Sequence, residues 1–498
     1  MRTAESASDT AHLPGDTVPH IIAVVFLLAF GAILECWKLS SLTDPEIWGH
    51  LRTGTWMLEN RTWPQSALFS QVTNTPWRDL NWGFDLLTAG AYRLLGLRAI
   101  PALLIVLRIG LAGVTFLLAG GWRNFCPASV LSAAAQYILL PTGPTAMHVS
   151  LLFFGVELLL LMQSRESGDL RSLRPLPILF VVWANLDTGF VYGITLFLLF
   201  VKVVFLEHWS DARGLRWLDQ PKRQIPLKPV SLTLCVSLIV SLANPYSWHP
   251  YVSFFQNEFS PVNHHLPGYN AMSFRQPQDY LLMLLGMSAF LALGLRRSRN
   301  LFQIAVLVGT ATLAFCARRE NGLLALASVA IIGHAILQSR AGETGVATWT
   351  WRSLIPFAVA LVVAFAVFAV RIPKDHAALL TRVARTLPVR AADFFRQNPQ
   401  PPPLFNTYLW GGFLSWYLPE YPVAIDARRG LYPDGAELDY FKAMNAEIPY
   451  RSFPPMNNGR TFLLEKGGTM GEAFRAVAGF RVIYEDDISI VYAHEGRE

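Results

Sequence analysis

Asp44 and Glu46 stand one residue apart just beyond the first long apolar run, in Leu42-Thr43-Asp44-Pro45-Glu46-Ile47-Trp48-Gly49-His50-Leu51-Arg52-Thr53-Gly54-Thr55-Trp56-Met57-Leu58. A carboxylate at that place can take the proton of an acceptor hydroxyl while a sugar departs from its phosphate, provided it lies within hydrogen-bond reach. The pair can instead hold a divalent cation such as Mg or Mn, although two carboxylates alone do not define such a site. A third reading needs no chemistry. Asp44 is a good helix N-cap with Pro45 at the first helical position. Ile47, Leu51 and Leu58, with Trp48 and Trp56, then form an amphipathic helix along a membrane surface.

Other polar groups recur where the chain leaves apolar stretches. Asn185-Leu186-Asp187 interrupts the run from Val181 to Phe200. A carboxylate at membrane depth costs about 3 kcal/mol on insertion scales, so Asp187 is either a functional group or part of a turn reaching water. Arg318-Arg319-Glu320-Asn321 lies between two apolar runs. Its guanidinium forks can bind a phosphate, or pair internally with Glu320 or with loop acids. Asn244-Pro245-Tyr246-Ser247-Trp248-His249 reads as a turn within an aromatic interfacial belt. His264 and His265, being adjacent, point to different sides of an extended chain and do not share a metal. Asp426 and Arg428 follow a strand-like run, placed either for binding at a strand end or for locking the tail in position.

The elements that must hold these residues are mostly apolar helices. Of 498 residues, 52% are hydrophobic and 15% charged, where a soluble protein carries roughly 25% charged residues. Mean hydropathy is +0.34. The net charge of +6 sits in short Lys and Arg clusters between apolar runs, a pattern of membrane orientation rather than of nucleic-acid binding. Apolar runs beginning near Ile21, Ala99, Pro127, Val149, Leu176, Val191, Val230, Tyr280, Leu301, Gly322 and Leu354 predict about eleven spans, those between 176 and 206 being short enough for a broken or re-entrant pair. Arg123, Arg165, Arg171, Arg174, Arg213, Arg216, Lys222, Arg223, Lys228, Arg296, Arg297, Arg299, Arg340 and Arg352 fall in alternate connections. That assigns this side to the cytoplasm. Residues 1–20 are then a cytoplasmic tail, not a cleaved signal. Residues 21–371 form the membrane part with an outer loop at 38–98, and 372–498 form an extracytoplasmic domain. In that domain Leu404-Phe405, Val423-Ala424-Ile425, Thr461–Leu464, Val482-Ile483-Tyr484 and Ile488–Tyr492 read as strands. Glu437–Ala446 and Met470–Ala478 read as helices, giving a small α/β unit. Cys36, Cys126, Cys235 and Cys316 read as buried apolar thiols without metal or disulfide spacing.

The chain resembles the GT-C superfamily of polytopic transferases that use polyprenyl-phosphate sugars, such as protein O-mannosyltransferases and the aminoarabinose transferase of lipid A. Those families place an acidic motif and an interfacial helix after the first span, then a second short helix with a Pro- or aromatic-rich opening. Here Asp44-Pro45-Glu46 is followed by Pro76-Trp77-Arg78-Asp79-Leu80-Asn81-Trp82, leading into Phe84–Leu95. A bacterial group with a D-P-[DE]-x-W-x-H-L-R-T-G loop is more similar still, matched by Asp44, Glu46, Trp48, His50, Leu51, Arg52, Thr53 and Gly54. Trp183, Asn185, Asn406, Tyr408, Trp410, Gly411, Gly412, Asp426, Arg428, Leu431 and Tyr432 fit further elements of that group. At two positions the chain departs from these patterns. Pro45 separates two acids that classical transferases often hold adjacent, and Asp187 stands where the bacterial group has His.

The resemblance implies a multi-pass α-helical, GT-C-like membrane protein in a bacterial inner membrane, with a C-terminal extracytoplasmic α/β domain. It implies sugar transfer from a polyprenyl-phosphate donor to an extracytoplasmic glycan, lipid or protein. The candidate base is Asp44, then Glu46. Arg318 and Arg319 would bind donor phosphate. His50, Asp79 and Asp187 would line the cleft, and Trp48 or Trp77 would stack on sugar. Arg52, Asn185, Asp426 and Arg428 complete the candidate substrate contacts. A non-catalytic binding or assembly protein for surface polysaccharide is the alternative, and a transporter a third, disfavoured by the lack of an inverted repeat.

Overall fold

The computed structural model describes residues 17–72, 75–214, 224–296, 300–339, 355–432 and 435–494. Most of the proposed 1–20 tail lies outside these, as do Arg216, Lys222, Arg223, Arg297, Arg299, Arg340 and Arg352.

Each expected apolar run begins a helix: α1 (Thr17–Lys38), α4 (Ala99–Leu118), α5 (Phe125–Leu139), α6 (Ala146–Ser167), α7 (Leu176–Leu186), α8 (Phe190–Ala212), α9 (Leu227–Ser241), α11 (Pro277–Leu295), α12 (Leu301–Cys316), α13 (Asn321–Ser339) and α14 (Ile355–Arg371). Between them come α2 (Glu46–Asn60), α3 (Trp82–Leu95) and α10 (His249–Glu258). The expectation of about eleven full spans is not confirmed. Among the described residues six helices are long and apolar enough to cross a membrane, or seven if α14 joins the helix bent from it by 97°.

The physical reason is length. Helices α5, α7, α9 and α12 have only 15, 11, 15 and 16 residues. At about 1.5 Å per residue each falls short of a ~30 Å hydrocarbon core. The connections leaving α5, α7 and α12 meet on the side that carries the loop after α1, because Gly143 touches Asp44, Asn185 touches Gly83, and Asp187 lies within electrostatic reach of Arg319.

The tail continues with α15 (His376–Val383), α16 (Val389–Gln397), β1 (Leu404–Asn406), α17 (Gly411–Tyr417), α18 (Ala436–Met444), β2 (Thr461–Glu465), β3 (Phe480–Glu485) and β4 (Ser489–His494). The sheet order is β1-β2-β4-β3, with β1 parallel to β2 and the other pairs antiparallel. Val423–Ile425 is not a strand of this sheet. Val423 makes an isolated bridge to Ser70 of the first loop, with Val423 N–H donating to Phe69 O and Gln71 N–H to Val423 O, both at 2.9 Å.

Side chains of α15, α16 and α17 share one core with the spanning helices, while Ala67 and Trp77 of the first loop belong to the core of the tail. Of the four thiols only Cys36 is buried; Cys126, Cys235 and Cys316 are exposed, since they lie on outward helix faces.

Candidate active site

The chain leaves α1 through a buried ionic knot. Glu35 accepts from Ser41 N–H at 3.0 Å, Ser41 Oγ at 2.6 Å and Ser40 Oγ at 2.5 Å. It also pairs with Arg108 at 3.4 Å. Leu39 is left-handed at φ 51°, and a single 3-10 turn over Ser40–Thr43 delivers Asp44. Helix α2 begins at Glu46, with Pro45 in the N-cap position, one residue later than expected. Asp44 still does capping work: its Oδ1 accepts the Glu46 N–H at 2.9 Å. Its Oδ2 stands directly against Gly143, where a Cβ would lie 1.6 Å away. Burial, and then the charge of Glu46, push the Asp44 carboxyl up to about 7. Glu46 is exposed.

One turn further along α2, His50 Nδ1 meets Asp85 Oδ1 at 2.6 Å. Helices α2 and α3 touch through Gly54, where any Cβ would come within 2.0 Å of the Asp85 carbonyl. The Asp79 carboxyl lies against Asp85 and takes the Asn81 N–H at 3.2 Å. Burial, then the charge of Asp85, raises Asp79 well above the usual carboxylate range. Burial alone would lower His50, but Asp85, with Asp79 and Glu46, raises it to about 9. The ring therefore favours its cationic form at neutral pH, facing the Asp85 carboxyl. Tyr246, of the Asn-Pro-Tyr turn, lies against Asp79.

His50 is the hub of the side-chain field, because Asp44 and Asp187 also feel its charge. Asp187 is held at the α7–α8 corner by Ser150 Oγ–H and by Gly189 N–H at 3.1 Å, while Trp183 Nε1–H donates to Ser150 Oγ at 2.7 Å. Burial raises its carboxyl, and Arg319 and His50 oppose that rise. Asn185 is spent on the backbone, donating to Val181 O at 2.7 Å and Ala243 O at 3.0 Å.

Neither arginine of the Arg-Arg pair is free. Arg318 sits 3.3 Å from the buried Asp279. Arg319 lies 2.9 Å from Glu320 and 3.4 Å from Glu258, and stacks on Tyr269, whose hydroxyl accepts from it. Both guanidiniums are thus engaged in internal ion pairs.

Four further residues expected at substrate have structural work. Trp48 is fully buried against Phe413 and Trp416 of α17, so it packs the tail rather than stacking on a ligand. Trp77 is buried beneath Arg428. Asp426 grips Arg428 through Nε at 2.9 Å and Nη2 at 2.6 Å, while Arg428 also reaches Leu68 O. The pair thereby locks the tail onto the first loop. Arg52 lies over Phe69 at 4.2 Å, with Arg428 over the same ring at 5.6 Å.

Among the described residues no three His, Cys, Asp or Glu side chains come together as a metal site. A Mg or Mn ion would find only Asp44 and the exposed Glu46, so these residues do not fit one by themselves.

Sequence reading missed Asp85, Glu35, Arg108 and Ser150. Glu35 and Arg108 carried a signal, since ionisable residues inside apolar runs seldom occur without a partner.

No protein-family profile and no curated protein matches this chain. Solved structures do. An Archaeoglobus fulgidus oligosaccharyltransferase, crystallised with Zn and sulfate, superimposes over 96% of this chain and 73% of its own, with a TM-score of 0.50 at 12% identity. ArnT from Cupriavidus metallidurans aligns over 94% of this chain and 97% of its own, at 16% identity and a TM-score of 0.47 in the apo state. The same protein bound to undecaprenyl phosphate gives a TM-score of 0.45. At such identity the oligosaccharyltransferase match shows fold, and the chain has the GT-C-like membrane fold.

Proposed function

We propose that this chain is a GT-C-type membrane glycosyltransferase moving a sugar from a polyprenyl-phosphate donor to a hydroxyl on an extracytoplasmic glycan, lipid or protein. The observation that carries the reading is the Asp44 carboxyl, pinned by Glu46 N–H and Gly143 and raised to about 7. A general base works best with a pKa near the operating pH. Asp44 takes the acceptor O–H proton, the acceptor oxygen bonds to the anomeric carbon, and the carbon–oxygen bond to phosphate breaks. The electron pair leaves with the lipid phosphate, and the anomeric centre inverts. The His50 cation, held by Asp85, stabilises the departing negative charge from a preorganised position. Arg319 reaches the phosphate only by exchanging a carboxylate partner. The protein lies in the bacterial inner membrane with its N-terminus cytoplasmic and its tail outside.

The neutralised Arg318 and Arg319 favour a second reading, a non-catalytic protein that binds surface polysaccharide. The test is transfer of labelled sugar from a panel of polyprenyl-phosphate donors by the purified protein in liposomes. Transfer that Asp44→Asn abolishes, with the protein still folded, supports the base. Undiminished transfer by folded Asp44→Asn sinks it, and binding without transfer from any donor leaves the second reading standing.

A further inference from the structure

Four cations gather at the end of the bundle that carries Asp44. Lys38 closes α1, Arg371 closes α14, Lys374 lies in the corner between α14 and α15, and Arg98 leads into α4. Helix α1 packs along α14, and α15, bent 97° from α14, touches the turns Ser40–Thr43 and Gly96–Arg98. The Arg371 guanidinium stands 4.6 Å from the centre of the Trp37 ring. That of Arg98 stands 4.7 Å over Phe368, a residue three before Arg371 on α14, and donates to Phe368 O at 3.5 Å. Two of the four are therefore held in place by aromatic rings.

What they lack is an anion. Among the described residues none of the four lies within ion-pair distance of a carboxylate. The acids nearest in sequence are committed. Glu35 holds Arg108 and the serines after α1. Asp375 accepts the N–H groups of Ala377 and Ala378 at 3.3 and 3.2 Å, capping α15. Arg98 Nε is buried with no hydrogen-bond partner. The corner thus differs from Arg318, Arg319 and Arg428, each of which has its own carboxylate.

Lys38, Arg371 and Lys374 are exposed. So are the apolar Phe26 and Phe30 of α1 and Val359, Val362 and Val370 of α14. The cations therefore cap an apolar wall made by two packed helices. Trp37, half exposed, stands among them, and an indole there marks the depth of lipid headgroups. A cation at that depth is drawn to anionic lipid. A zwitterionic head brings its own ammonium, which the cluster repels. A head with phosphate alone keeps the net negative charge that the corner lacks.

We propose that this corner binds an anionic phospholipid of the leaflet on the Asp44 side, its phosphate among Lys38, Arg98, Arg371 and Lys374 and its chains along α1 and α14. None of these residues takes part in the proposed sugar transfer, so the two readings stand or fall separately.

The test is native mass spectrometry of the full-length protein in detergent, titrated with phosphatidylglycerol and with phosphatidylethanolamine of the same acyl chains. Phosphatidylglycerol should be retained the more tightly. Arg371→Gln with Lys374→Gln should weaken it by roughly twentyfold, at about fivefold per cation, and should leave phosphatidylethanolamine unchanged. Arg390→Gln with Lys466→Gln removes the same charge from the exposed tail surface and should leave phosphatidylglycerol binding as it was. If the first double variant does not fold, Lys38→Gln carries the test, with an expected loss of about fivefold. Equal retention of the two lipids overturns the proposal. So does an equal loss in the tail variant, or full binding by the corner variants. Displacement of the lipid by inorganic phosphate overturns it in favour of a free anion.

Discussion

Gly143→Ala puts a methyl carbon where the Asp44 carboxylate now stands. The new Cβ would lie 1.6 Å from Oδ2 and 2.7 Å from Cγ. Non-bonded carbon and oxygen need roughly 3 Å or more, so the carboxylate must retreat by about 1.5 Å. A misplacement of about 1 Å at a reacting group can cost roughly a hundredfold in rate. The expected fall in kcat for sugar transfer is therefore at least about a hundredfold. Overpacking of this kind also costs about 1–3 kcal/mol of stability. Asp44→Ala removes the clashing carboxylate, so in that background Gly143→Ala should cost little stability, while activity stays lost. The assay is single-turnover transfer in proteoliposomes, with thermal unfolding in detergent for both single variants and the double variant. Transfer by Gly143→Ala within about threefold of wild type, or an equal stability loss with and without the Asp44 side chain, refutes the close approach as the device that fixes the base.

Four other outcomes are expected. Transfer by the wild type should fall about tenfold per pH unit below about 7, where Asp44 takes up its proton, and level off above; a rate flat from pH 5 to 8 contradicts that assignment. The folded-state pKa of His50, about 9, exceeds its ordinary 6.5, so the His50–Asp85 pair stabilises fully below about 6.5 and its contribution is lost as pH rises through about 9. The loss is on the order of 3 kcal/mol, seen as a lower melting temperature at pH 10 than at pH 6 that Asp85→Asn abolishes. Gly411→Ala drives a Cβ to 2.3 Å from Ile425 O and 2.5 Å from Asp426 Cβ, which should loosen the tail by about 1–3 kcal/mol and open it to limited proteolysis. Glu157 is fully buried in α6 with neither carboxyl oxygen hydrogen-bonded, so Glu157→Met should raise stability by about 1–3 kcal/mol; a loss would reveal a partner for that carboxyl.

Much of the fold was legible because hydropathy marks a helix wherever it begins. Ten of the eleven expected starts are helical, and the eleventh, Leu354, lies just outside the described residues, next to the start of α14 at Ile355. Where a helix stops is set by tertiary contacts. The ends of α7 at Leu186 and α12 at Cys316 follow from the polar corners they feed, so length and span count were not legible. Asp44, Glu46 and His50 stood out in the first loop because their types announce chemistry. The packing roles of Trp48 in that loop and of Arg428 in the tail did not show in the sequence. An aromatic ring and a guanidinium look the same in sequence whether they face a ligand or a packed domain, and here the partner is α17, far along the chain. Arg318 and Arg319 stood out as cations, but Asp279 and Glu258, which neutralise them, come from other elements. Asp85 escaped notice because its role depends on α2 crossing α3 at Gly54, a contact that spacing does not encode.

Helix α17 meets the start of α2 at bare backbone: a Cβ on Gly412 would stand 3.0 Å from Gly49 N and 3.3 Å from Pro45 O. The loop that carries Asp44 is therefore among the first parts synthesised, and its cover among the last. Until the tail has docked, Trp48 has no Phe413 or Trp416 to rest on, and an indole at a membrane surface settles among lipid headgroups. Maturation then becomes an exchange of lipid for protein on one face of α2. A chain interrupted late in translation would carry every polar residue of the first loop and still lack the α17 side chains that cover Trp48.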